Sequence, residues 1–303
     1  MLQTPTTKHW LMLAYLVAFW GFAFYLIAVA VEVFVPVALV WVRLSLGAAV
    51  LLGVLFWRGG KLPRGWPWWR RMVVLAVTGN LLPFTLISWA EQSVPSSEVG
   101  LLMALMPITT LLLAHRLLEH ERLTPARLIG VILGFAGVAL LMGRSFIDVT
   151  STERLPGQLA AVGATLCYAF NGVYAKRLPA FDTVSIAAGS LLAGAVLFAL
   201  PALWLQPAWP LTGHGNALWA MLVLGVMATG VATWIYFAVV TDCGPGFLST
   251  INYLIPAVAF VAGVVLLGEP AGIVQLSALC MILTGVWLIQ HRRRAAIVAE
   301  TNS

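Results

Sequence analysis

The chain has 303 residues, of which 61% are hydrophobic and 9% charged, and its mean hydropathy is +0.96; these values exclude a soluble globular domain and place the chain in a bilayer. Its formal charge of +6 rests on cations in the links between apolar runs, where they face anionic lipid, and no basic domain is left for nucleic acid. The cysteines Cys167, Cys243 and Cys280 lie in or near apolar runs and form no disulfide framework.

A spanning helix needs roughly 20 mostly apolar residues. Ten such runs follow one another at 10–30, 35–57, 71–90, 96–118, 125–143, 157–175, 183–204, 217–240, 246–267 and 271–289. In the first, Ala28-Val29-Ala30 resembles a leader-peptidase site, but the run before it is too long and its removal would delete the counterpart of 157–175. Trp20 and Phe24 lie mid-span there. The second carries Arg43, eight residues in, about 12 Å from the helix end at roughly 1.5 Å per residue. A charge in hydrocarbon is costly, so Arg43 either faces a cavity and attracts a carboxylate, or snorkels outward or pairs with Glu32, Glu91 or Glu98. The third holds Asn80 and Phe84, and the link after it places Glu91 as a wetted loop charge and Glu98 in the first turn of the fourth.

Pro107 breaks the fourth run, whose far end bears His115, Glu119, His120 and Glu121. That spacing misses both zinc-protease patterns, so a solvated helix end is expected, with no metal and no cofactor. On the fifth, Gly130, Gly134 and Gly137 form a small-residue stripe suited to close helix approach, within the chain or in a homodimer. Tyr168 and Asn171 fall on the sixth, Trp234 on the eighth, and Asn252, Tyr253 and Pro256 on the ninth. The amides Asn80, Asn171 and Asn252 suit a substrate or a neighbouring helix equally. Trp57, Trp66, Trp68, Trp69, Trp204, Trp209 and Trp219 gather at run ends as interfacial anchors. No nucleotide-binding glycine loop occurs.

A shift of 148 places lays Trp20-Gly21-Phe22 on Tyr168-Ala169-Phe170, Trp89-Ala90 on Phe237-Ala238, Glu121 on Glu269 and Gly137-Val138 on Gly285-Val286. The chain therefore divides into a first five-helix repeat (1–143), a periplasmic linker (144–156), a second repeat (157–291) and a cytoplasmic tail (292–303). With both termini in the cytoplasm, fourteen Lys and Arg fall inside and only Arg144 and Arg154 outside. Five crossings per repeat then require the second to be inverted, as in many secondary transporters.

These residues resemble the drug/metabolite transporter superfamily, specifically its EamA-type ten-helix exporters. The marks are Phe19-Trp20-Gly21, Val42-Arg43-Leu44, Leu105-Met106-Pro107, Glu121-Arg122-Leu123 and Gly134-Phe135-Ala136-Gly137, with Leu254-Ile255-Pro256 and Gly268-Glu269-Pro270 repeating the spacing. The resemblance implies an all-α bundle with helices one to four and six to nine around a central cavity, five and ten at the periphery, and export of amino acids, other metabolites or toxic compounds. The YddG-like branch handles aromatic and other neutral amino acids. Leu191 stands where Arg43 does in the first half, so any cavity charge is asymmetric.

The sequence therefore reads as an exporter of the bacterial inner membrane, working by alternating access on amino acids, with no enzymatic activity. The substrate pocket is expected from Trp20, Asn80, Phe84, Tyr168, Asn171, Trp234, Asn252 and Tyr253, with Arg43 for a carboxylate and Pro107, Pro256 and Glu98 in gating. Partners are a small-molecule substrate and membrane lipid. A multidrug or sugar-derivative transporter and a lipid-modifying membrane enzyme stand as alternatives.

Overall fold

The computed structural model describes residues 3–117, 124–147, 153–179 and 181–301, and among them every regular element is a helix. The helices run as α1 (Thr7–Val31), α2 (Pro36–Trp57), α3 (Trp66–Ala90), α4 (Ser96–Leu117), α5 (Pro125–Ile147), α6 (Leu155–Lys176), α7 (Thr183–Leu205), α8 (Gly215–Leu248), α9 (Ile251–Leu267) and α10 (Ile273–Thr301). Among the described residues, eight of them are long and apolar enough to cross a membrane; α9 is shorter, and α6 carries Gln158, Thr165 and Asn171. The chain is an all-α, multi-pass membrane protein.

Helix starts follow local chemistry. Pro36, Pro67, Pro125 and Pro156 lie in first turns, where a missing N–H leaves no helical bond unmade. Asp182 caps α7, its carboxylate accepting from Ser185 N–H at 2.8 Å and Ser185 Oγ at 2.9 Å. Gly268 closes α9 in the left-handed region (φ 67°), where a glycine carries no Cβ penalty.

The early start of α3 changes one expectation. Trp68 is no interfacial anchor: it is buried, and a Cβ on Gly189 of α7 would lie 2.2 Å from its ring. Trp57, Trp66, Trp204 and Trp219 are exposed, as anchors should be.

Pro107 and Pro256 also part company. Helix α4 divides at Ala104 and Leu105, whose N–H groups turn back to Leu101 and Leu102; Pro107 has no N–H for the Met103 carbonyl. Pro256, in contrast, sits inside an unbroken α9, and the break in this half lies earlier. It falls at Gly244 (φ 79°, ψ 168°), before Pro245, and again at Ser249 and Thr250.

The sequence reading had no counterpart for two wide π-helical stretches, Val77–Leu81 within α3 and Leu224–Val231 within α8. In the first, Pro83 cannot donate to the Gly79 carbonyl, which favours the wider winding. The second has no such proline.

Lipid tails are as apolar as the side chains, so helices hold together by close packing more than by apolar burial. Small residues supply it. A Cβ on Gly21 would lie 2.5 Å from Val258 in α9, and one on Gly100 would lie 2.5 Å from Ala259. The Gly130–Gly137 stripe packs on α10: Gly285 lies so near that its Cβ would stand 2.5 Å from the Gly130 carbonyl oxygen. The stripe offered to a homodimer is thus spent within the chain. Glu119, His120 and Glu121 of the His/Glu cluster lie outside the described residues.

Candidate functional site: a buried arginine between four helices

Gly47 stands one turn beyond Arg43 on the same face of α2 and opens room for the wide stretch of α8. A Cβ there would lie 2.8 Å from Thr229 Cγ2 and 3.1 Å from Leu191 Cδ1. Into this space Arg43 Nε donates to Thr229 Oγ1 at 2.7 Å, while its guanidinium carbon sits 3.8 Å above the centre of the Phe84 ring from α3. Arg43 is only 5% exposed, so it does not snorkel. Tyr168 of α6 and Glu91 are within electrostatic reach. A cation stacked on a ring face and bonded to a neutral hydroxyl keeps donors for an anion. One guanidinium thus joins α2, α3 and α8, with Tyr168 of α6 within electrostatic reach.

Gly47→Ala should push Thr229 off the guanidinium and cost about one hydrogen bond to a charged group, roughly 1.5 kcal/mol or tenfold. The expected readout is a roughly tenfold slower transport rate at matched protein level, with the melting temperature lowered by only a few degrees.

Trp20 and Asn171 both address the π stretches. Trp20 Nε1 donates to the Ala228 carbonyl at 2.9 Å, next to Thr229, and Tyr15 OH reaches the Met227 carbonyl at 3.2 Å. Asn171 Nδ2 donates to the Leu75 carbonyl at 3.2 Å and to Thr78 Oγ1 at 3.0 Å, against α3 where Gly79 leaves room. A wide helical turn misaligns carbonyls, and these side chains satisfy them. Asn80 belongs to the first π stretch and is half-buried. Trp234 packs on the Leu44 and Leu191 cluster beside Phe84. Asn252 lies in the first turn of α9, and Tyr253 points its hydroxyl to the Val286 carbonyl of α10 at 3.5 Å, away from the Arg43 group.

Both ends of the bundle are tied by polar groups. At one end Glu98 accepts from Gln158 Nε2, joining α4 to α6. The Glu269 carboxylate accepts from Ser96 N–H at 2.7 Å and Ser97 N–H at 2.8 Å, satisfying orphan donors at the start of α4. Glu91 corrects the sequence reading: it is buried at 9% exposure, not wetted, and neither oxygen has a hydrogen-bond donor. At the other end His9 Nδ1 accepts from Thr6 N–H at 3.1 Å, so Nε2 carries the hydrogen that faces Asp242 Oδ2 at 3.3 Å. Thr229, Gly47, Gln158 and the His9–Asp242 pair were absent from the candidates drawn from sequence.

The profile of the EamA-like transporter family matches residues 8–143 and again 155–290. The aromatic amino acid exporter YddG of Ancylobacter novellus is 27% identical, over 82% of this chain and 85% of its own length. The uncharacterised inner membrane transporter YedA of Escherichia coli K12 is 26% identical, over 89% of this chain and 86% of its own. A solved crystal structure shares the fold, with a TM-score of 0.67 at 24% identity over 96% of this chain and 99% of that one. The family is one of transporters, and among the described residues no group of His, Cys, Asp and Glu is placed to hold a metal ion. With a profile matched over nearly the whole chain, the chain belongs to the EamA-like transporter family, within the drug/metabolite transporter superfamily.

Proposed function

We propose that the chain exports small neutral amino acids, aromatic ones included, across the bacterial inner membrane by alternating access around Arg43. The observation that carries this reading is the partly engaged guanidinium of Arg43, buried over Phe84 and beside Tyr168. A carboxylate is the partner that a buried guanidinium favours most, and an aromatic surround suits an apolar side chain. The YddG name of one relative points the same way.

In this reading the helices form ten crossings as two inverted repeats, 1–143 and 157–291, joined by a periplasmic linker, 144–156, with a cytoplasmic tail, 292–303. The doubled family match supports it. So do the helix pairings: α1 packs on α8 and α9 as α6 packs on α3 and α4, while α2 meets α7 and α5 meets α10. The π stretches add to this, since Val77–Leu81 shifted by 148 falls within Leu224–Val231. The excess of Lys and Arg puts both termini in the cytoplasm, so that the Glu91, Glu98 and Glu269 end faces the periplasm.

Bound solute must favour one state by its differential affinity. Purified protein in liposomes, preloaded with unlabelled phenylalanine, should accumulate labelled phenylalanine by counterflow. Accumulation of a lipophilic cation such as tetraphenylphosphonium, with none of phenylalanine, would replace the amino-acid reading with a drug-export one.

A further inference from the structure

The outside of the bundle carries a groove that the Arg43 group does not use. Helix α5 lies along α10 through Gly130 and Gly137, and it meets α4 where Gly134 packs on Ile108 and Leu105. Helix α6 is tied to α4 one residue further on, Thr109 Oγ1 reaching the Thr165 carbonyl at 3.3 Å. The same two helices are tied again at their far ends, where Arg177 Nη2 donates to the Leu117 carbonyl at 2.6 Å. Beyond the Gly134 contact α5 stands off, and a groove of about 730 Å³ opens between α4, α5 and α6.

The two ends of this groove differ in chemistry. Leu112 and Leu113 line it from α4, Phe135 from α5 and Leu166 from α6, the last two exposed. Thr109 closes the inner end, and its hydroxyl is spent on backbone carbonyls. Such walls offer a hydrophilic solute nothing, so hydrocarbon is the content they suit. At the mouth stand His115 and Arg116, with Arg177 brought beside them by its bond to Leu117. Both arginines are exposed, and a guanidinium that gives one N–H to a carbonyl keeps most of its donors. Along α4, Thr109 lies about 10 Å from Arg116, and along α6, Leu166 lies about 16 Å from Arg177, at roughly 1.5 Å per residue. That is about the depth of one leaflet, half of a hydrocarbon core roughly 30 Å thick.

We propose that the groove seats one anionic phospholipid of the cytoplasmic leaflet, with an acyl chain between Leu113, Phe135 and Leu166 and the headgroup phosphate on Arg116 and Arg177. The leaflet follows from the topology given above, while the site itself is independent of what the protein transports. Guanidinium groups bind phosphate through parallel charge-assisted hydrogen bonds, and anionic lipid gathers at cations beside the ends of membrane helices. A choline lipid fits the same apolar slot, but its own cation opposes the two arginines. The seated chain supplies contacts that α5 does not make with the Met106–Leu117 half of α4, which the break at Ala104 and Leu105 separates from the rest of that helix.

The test uses the full-length protein, released from vesicles holding equal amounts of phosphatidylglycerol and phosphatidylcholine with identical chains, and native mass spectrometry counts the lipids retained. Wild type should keep a single phosphatidylglycerol about tenfold more often than a phosphatidylcholine, and Arg116→Ala should lower that preference to about twofold. Arg116→Lys should hold most of it. Leu166→Trp, at a position exposed enough to accept the ring, should fill the groove and cut retention of both lipids with the arginines intact. Arg64→Ala removes an exposed cation elsewhere and should leave the preference untouched. Glycerol phosphate, a headgroup without chains, should not displace the lipid. An unchanged preference in Arg116→Ala, or unchanged retention in Leu166→Trp, overturns the assignment. An equal loss in Arg64→Ala would replace the groove with diffuse attraction to the surface, and displacement by glycerol phosphate would make it a site for a soluble anion. Transport enters none of these readouts, so the exporter reading stands or falls separately.

Discussion

Arg43→Ala is expected to abolish phenylalanine counterflow while the protein still purifies as a folded species. The guanidinium bonds Thr229, covers the Phe84 ring, and leaves donors for a carboxylate; alanine removes all three. A charge-assisted contact to a bound carboxylate, lost from a desolvated site, costs about 3 kcal/mol or more, roughly a hundredfold in affinity. Folding should survive, because holding the cation in the membrane itself costs about 3 kcal/mol, which offsets much of the lost packing. Arg43→Lys separates charge from shape. An ammonium keeps the positive charge but offers no planar fork and stacks less well on Phe84, so counterflow should fall about tenfold and saturate at higher substrate concentration. Thr229→Val, which removes the same hydrogen bond as Gly47→Ala displaces, should likewise fall about tenfold. Full counterflow by Arg43→Ala at matched protein level would place the substrate elsewhere.

Arg43 was legible in the sequence because a charge in hydrocarbon needs a reason, and no local pattern supplies one. Its partners were not. Thr229 is an ordinary hydroxyl in an apolar run, and only the width of the π stretch and the bare face of Gly47 bring it to the guanidinium. Glu91 misled for a related reason. It stands just past an apolar run, where a chain normally meets water, yet it is buried, and Gly157 of α6 packs against Ala90, Ser93 and Val94 on either side of it. The small-residue stripe on α5 was readable as an interface, but its partner was not, since Gly285 is far away along the chain. Trp20 and Asn171 were chosen as polar groups in mid-membrane. Trp20 bonds a carbonyl of the second wide stretch, and Asn171 bonds the Leu75 carbonyl just before the first and the Thr78 hydroxyl within it, partners that one sequence does not announce. Helix type and order followed from composition and period, whereas the places where the helices depart from regular winding are set by neighbours, and the candidate site lies there.

Gly285→Val should produce the opposite phenotype to Arg43→Ala, losing the fold while sparing substrate recognition. At Gly285 an added Cβ would meet the Gly130 carbonyl oxygen at 2.5 Å and the Gly134 nitrogen at 3.0 Å. These are backbone atoms on the facing helix and cannot rotate away, so α5 and α10 must separate along the seam where they pack. Overpacking of this kind costs typically 1–3 kcal/mol, about, and the branched valine should reach the upper end. Membrane helices have no strong apolar driving force to compensate, because separated faces are covered by lipid as readily as by each other. The yield of monodisperse protein should therefore fall several-fold and the melting temperature drop. The surviving folded fraction should keep the wild-type half-saturation for phenylalanine, since α10 contributes nothing to the group around Arg43. A raised half-saturation in Gly285→Val, with a normal melting profile, would mean that α10 reaches the substrate path. Gly130→Ala attacks the same seam from the other side, with a Cβ 2.6 Å from the Gly285 carbonyl oxygen, and should reproduce the loss of yield in milder form. Combining the two should cost less than the sum of the single changes, because the first already opens the gap the second would occupy.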